Sequence, residues 1–83
     1  MNGDIYSIAR ELIRVLSNIP QRYLPDRIRD DMHSLQYALR AQNGTEDFAK
    51  TLLIDLDSNV QLIPHQIVYY RNQLAAAIDY GVA

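Results

Sequence analysis

IYSIARELIRVLSNI, residues 5–19, is the stretch whose reading decides the fold. Its apolar residues Ile5, Ile8, Ala9, Leu12, Ile13, Val15, Leu16 and Ile19 recur at helical spacing. At about 100° per residue they cover roughly 160° of the helix surface, wider than a one-sided stripe. Arg10, Glu11, Arg14 and Asn18 take the remaining arc. A helix apolar over nearly half its circumference needs more than one neighbour to cover it. The stretch is therefore expected to be the central helix of a small bundle.

Outward from that helix, prolines and glycines supply most of the punctuation. Asn2 or Asp4 can cap its start, and Pro20 stops it near Ile19. Gln21 to Leu24 reads as a short connection. Pro25 stands where a first helical residue should, followed by Asp26, whose charge suits a helix start. The second helix then carries a stripe of Leu24, Ile28, Met32, Leu35 and Leu39, with Ala38 at its edge. Asn43-Gly44 is expected to end it as a left-handed cap. Thr45 is expected to cap a third helix, with Phe48, Ala49, Leu52, Leu53 and Leu56 on one face and Ile54 nearly opposite. Asp57-Ser58-Asn59 breaks that helix, and Pro64 opens a fourth with Ile67, Tyr70, Leu74, Ala77 and Ile78 inside. The expected helices cover about 4–19, 25–42, 46–57 and 64–80 of a single domain, 1–83. Short connections imply antiparallel neighbours, so the fold class is all-α: a compact four-helix bundle with the first helix central.

Length and charge bound the rest. A chain of 83 residues buries about 60% of its unfolded surface and has a thin core. It holds no cysteine, so neither a disulfide nor a Cys-based zinc site can brace it. A net charge of −2 argues against an autonomous nucleic-acid binder. Seven of its eight bases are arginine, which suits planar bidentate contacts but can equally reflect genomic composition. No apolar run approaches the ~20 residues a membrane helix needs. Asp4, Arg10, Glu11 and Arg14 interrupt any signal-peptide core, so a cytoplasmic location is expected.

Two surfaces stand out. On the fourth helix Tyr69, Gln73, Ala76 and Tyr80 follow i, i+4, i+7, i+11, opposite the core stripe. Tyrosine pairs a large ring with a polar tip and is favoured at interfaces, and small Ala76 would let another helix approach. Ile54 on the wrong side of the third helix adds to that surface. The same tyrosines could instead merely cover the end of the core. On the second helix Arg29, His33, Gln36, Tyr37 and Arg40 cluster within about 100° of arc. That mixture could meet an acidic partner, a phosphate or RNA, or be a solvated charged face, since Asp26, Asp30 and Asp31 share the helix.

Catalytic and metal constellations are missing from the pattern. There is no Gly-x-Ser-x-Gly elbow, no Gly-rich phosphate loop and no His-x-x-x-His. Asp55, Asp57, Asn59, Gln61 and Gln66 echo a calcium-loop spacing, but Val60 replaces the turn glycine and Gln66 the bidentate glutamate. A helix-turn-helix drawn through Gln42–Thr45 would open its recognition helix with Glu46 and Asp47, which face phosphates badly. Arg27 and His33, with five residues between them, resemble the R-x4–6-H element of HEPN-type ribonucleases, in which the arginine and histidine act on RNA across a dimer of helical bundles. The resemblance covers seven residues. Ile28 stands where that family commonly has asparagine or aspartate, and Arg27 and His33 diverge by about 120° on a helix.

The expected function is a non-enzymatic protein–protein interaction module, an adaptor, inhibitor or assembly subunit that presents a helix face. Its partner would be another protein or a second copy of the chain, with no cofactor, metal or membrane. The alternative is nucleic-acid binding through Arg22, Arg27, Arg29 and Arg40.

Overall fold

The computed structural model describes residues 4–59, 61 and 64–78. Among them are four α-helices, α1 (Ile5–Ser17), α2 (Asp26–Ala41), α3 (Thr45–Ser58) and α4 (His65–Ala77), and no strand. Asp4 opens α1 as its N-cap, its carboxylate accepting from Tyr6 N at 3.0 Å. The Ser17 hydroxyl donates to Ile13 O at 2.7 Å, and single-turn bonds from Asn18 and Ile19 close the helix two residues before the expected end. Between α1 and α2 the connection winds into one 3₁₀ turn, Gln21–Tyr23, flanked by extended Pro20 and Leu24. Pro25 and Pro64 stand just outside α2 and α4 as N-caps.

Every residue of the apolar arc of α1 reaches the core. Ala9, Leu12, Ile13, Val15 and Leu16 are buried, and Ile5, Ile8 and Ile19 pack against them partly covered. Consequently α1 touches each of the other three helices, and α3 shares that central position with it. The closest pairings are α2 with α3 and α1 with α4, so the first and last helices of the chain close the bundle. Sequence neighbours α1 and α2 lie less tightly together. Across the α3–α4 seam, Arg71 clamps the Asp57 carboxylate through Nε at 3.0 Å and Nη2 at 2.8 Å.

The α2–α3 turn departs from expectation. The left-handed residue that ends α2 is Gln42 (φ 53°), and Asn43 N closes onto Ala38 O at 3.2 Å. Gly44, also left-handed (φ 75°), is the N-cap of α3. Thr45 is not the cap but the first helical residue, buried, with its hydroxyl donating to Ala38 O at 3.4 Å. With only residues 42–44 joining two packed helices, the threonine satisfies the end of α2 instead of the start of α3. Among the described residues, a Cβ added at Gly44 would meet only the Phe48 ring at 3.5 Å, so the backbone sets the cost of substitution. Gly44→Ala should cost about 1–2 kcal/mol, while Gln42→Gly should relieve strain of similar origin. Opposite shifts in urea midpoint at two neighbouring positions would verify this; equal shifts would refute it.

Two residues of α3 also depart. Phe48, expected inside, is 41% exposed, because it lies on the flank of the helix and not at the centre of its apolar face. Asp55, seven residues further along that same flank, is only 8% exposed.

Candidate functional site

The outer face of α4 is set by its core face. Ile67, Leu74, Ala75 and Ile78 are buried, with Tyr70 and Ala77 partly so. That rotation turns Tyr69, Gln73 and Ala76 to solvent, with Tyr69 62% exposed. The Tyr69 ring is held in place. Gln73 Nε2 donates to its hydroxyl at 2.7 Å, and its ring meets that of Tyr70 edge-on, centroids 5.2 Å apart. Tyr80, the fourth member of the expected stripe, lies outside the described residues. Ile54 is exposed on α3, about 60° around that helix from Asp57, which meets Arg71 of α4 at the seam.

The polar face of α2 borders a groove. Arg29, His33, Gln36 and Arg40 line the space between α1 and α2, whereas Tyr37 stands aside in solvent, 75% exposed. A narrower section of about 130 Å³ reaches Leu24 and Met32, and a wider one of about 380 Å³ lies between Arg10, Arg14 and Arg40. Ser17 and Gln36 line both sections, so the two lie side by side. Pro20 and Pro25, both with extended backbones, flank the connection between the two helices. The α1 side of the groove was not foreseen. The signal lay in Arg10 and Arg14, one helical turn apart on the exposed arc.

Partners already occupy some of these cations. Arg14 makes a bidentate pair with Glu11, and its donated hydrogen bond holds the Glu11 carboxyl below its ordinary pKa. Arg29 pairs with Asp26, and its Nε is buried without an acceptor among the described residues. Arg22 lies over the Tyr23 ring, 4.9 Å from its centroid. Arg10 and Arg40 have no acidic partner among the described residues. Arg27 points away from Arg29 and Arg40 by about 140–160°, so the arginines of the nucleic-acid alternative do not form one surface.

A pair of carboxyls at the α2–α3 seam escaped the sequence reading. Asp31 faces the buried Asp55. Burial, then the hydrogen bond with Asp55 and its charge, push Asp31 up to about 7, with Asp30 adding to the rise and Arg27 opposing it. Were both groups ionised, neither could donate, and Asp31 Oδ2 stands buried without a donor among the described residues. One shared proton turns the contact into a hydrogen bond. The signal was helical spacing: Asp31 is three residues after Ile28 and four before Leu35, at the margin of the core stripe.

Asp55 and Asp57 both lie within α3, about 160° apart, which removes the calcium-loop geometry. Among the described residues no group of three or more histidines and carboxylates is placed to hold a metal ion, and no helix is long and apolar enough to cross a membrane. Comparison with protein-family models, with curated proteins and with solved structures finds nothing that matches this chain.

Proposed function

We propose that the protein is a small non-enzymatic interaction module, working in the cytoplasm, that presents the outer face of α4 to another protein or to a second copy of itself. The composition of that face carries the reading. The exposed residues of α4 are His65, Gln66, Tyr69, Asn72, Gln73 and Ala76, none of them Asp, Glu, Lys or Arg. The exposed sides of the other helices are charged, with Arg10 and Arg14 on α1, Asp30 and Arg40 on α2, and Asp47 and Lys50 on α3. Interface centres lose charge and gain tyrosine in the same way. Gln73 and Tyr70 already fix the Tyr69 ring, so little side-chain freedom is left to lose on docking. Ala76 leaves the surface shallow enough for a facing helix.

Tyr69→Ala tests this. The substitution removes an exposed ring, so helicity by circular dichroism should stay unchanged while association weakens about tenfold or more. Light scattering across a low-micromolar dilution series reads self-association, and capture from the source cell with wild type and variant in parallel reads a hetero-partner. Equal association of the two proteins in both assays would dispose of the surface.

A further inference from the structure

The α1–α2 groove has a different chemistry from the α4 face. Ile13, Leu24, Met32 and Leu39 lie at its floor, each at most 9% exposed, with the polar Ser17 and Gln36 beside them. Its rims carry Arg10 and Arg14 on α1 and Arg29 and Arg40 on α2, of which Arg14 and Arg29 are already paired with Glu11 and Asp26. Among the described residues no acidic side chain lines it, although the chain as a whole has a net charge of −2. From Arg29 to Arg40 the rim runs about 16 Å along α2, or three helical turns. The most open section lies between Arg10 and Arg40, the two rim arginines without acidic partners among the described residues.

The geometry points to an acidic amphipathic helix of a partner protein as the occupant of this groove. Apolar side chains at i, i+4 and i+7 of such a helix would lie on the Ile13–Leu39 floor. Carboxylates on its two flanks would meet the Arg10 and Arg40 guanidiniums, whose planar donors match a carboxylate bidentately. RNA fits less well. Among the described residues no tyrosine or phenylalanine lines the groove, which leaves His33 and the arginines to stack a base, and the floor residues Ile13, Leu24, Met32 and Leu39 give a phosphate chain no donor. Tyr69, Gln73 and Ala76 lie outside the groove, so this inference is independent of the α4 reading.

The test is fluorescence anisotropy with a labelled three-turn peptide that carries leucines on one face and glutamates on both flanks. Two probes run beside it: the same peptide with glutamine for each glutamate, and single-stranded oligouridylate. The acidic peptide should bind, and its affinity should fall as salt rises. Arg10→Glu with Arg40→Glu should weaken binding about tenfold or more, and Tyr69→Ala should leave it unchanged. If the double reversal fails to fold, Arg10→Gln with Arg40→Gln removes the charges without adding acids and should weaken binding in the same direction. The inference is overturned if the acidic peptide does not bind, or if the glutamine peptide binds equally. Tighter binding of oligouridylate, full affinity in the arginine variants, or loss of binding in Tyr69→Ala would overturn it as well. Because Tyr69→Ala alone reads the α4 surface, failure at the groove leaves that surface's own test intact.

Discussion

Leu12→Ala should remove about 2–5 kcal/mol of stability, a large share of the roughly 4–12 kcal/mol that a chain of this length holds. Leu12 is 0% exposed and sits midway along α1, the helix that all three others touch. Truncating it loses the transfer free energy of three carbons. It also leaves a void that three helices cannot close together without separating elsewhere. The expected result in urea is a midpoint shifted far down with an unchanged slope, the sign of lost stability and not of an altered denatured state. Ile54→Ala removes similar bulk from the exposed side of α3 and should stay within about 0.5 kcal/mol of wild type. If Leu12→Ala were as mild as Ile54→Ala, α1 would not hold the middle of the bundle.

The second large effect is expected at the carboxyl pair. In the folded protein Asp31 keeps its proton up to about pH 7, whereas unfolded it releases it near 3.8. Between those values the folded state binds more protons, so stability falls as pH rises through the window and levels off above it. The Glu11 carboxyl, held low by Arg14, acts in the opposite sense and only at more acid pH, so melts between pH 5 and 8 report chiefly on Asp31 among these two. Asp31→Asn replaces the shared proton with a permanent N–H donor toward Asp55. At pH 8 it should stabilise the fold by about 1–2 kcal/mol, allowing for screening by water at this partly open seam. That corresponds to a thermal midpoint higher by roughly 4–15 °C. The variant should also lose most of the wild-type slope with pH. A variant that melts lower than wild type at pH 8, or keeps the full slope, would show that the two carboxyls do not share a proton.

Much of this molecule was legible one helix at a time. The wide arc of α1, the stripe of α2 from Leu24 to Leu39 and the inner residues Ile67, Leu74 and Ile78 of α4 are periodic patterns, and burial followed them. Periodicity works there because residues at the centre of an apolar face are buried whatever neighbour arrives. It fails at the margins. Phe48 and Asp55 occupy one flank of α3, yet the aromatic ring is partly in water and the carboxylate is covered. Which flank residue is covered depends on where α2 lies, and nothing local to α3 specifies that. The α2–α3 turn shows the same limit. Asn43-Gly44 marked a reversal, but in the folded chain Gln42 takes the left-handed conformation, Gly44 the cap, and Thr45 turns its hydroxyl to Ala38 O.

The sequence by itself determined an all-α chain, its helices and the centres of their buried faces, because those depend on spacing within a dozen residues and on proline and glycine stops. Only the tertiary structure decided which helices pair. It set α4 against α1 and left α2 apart from it, so that Arg10 and Arg14 face Arg40 across Ile13 and Leu39. It also brought Asp31 against Asp55 from 24 positions along the chain. Such juxtapositions arise from the packing of separate helices, where the loss of water from apolar faces sets the arrangement and the charged residues at their margins take the neighbours that result.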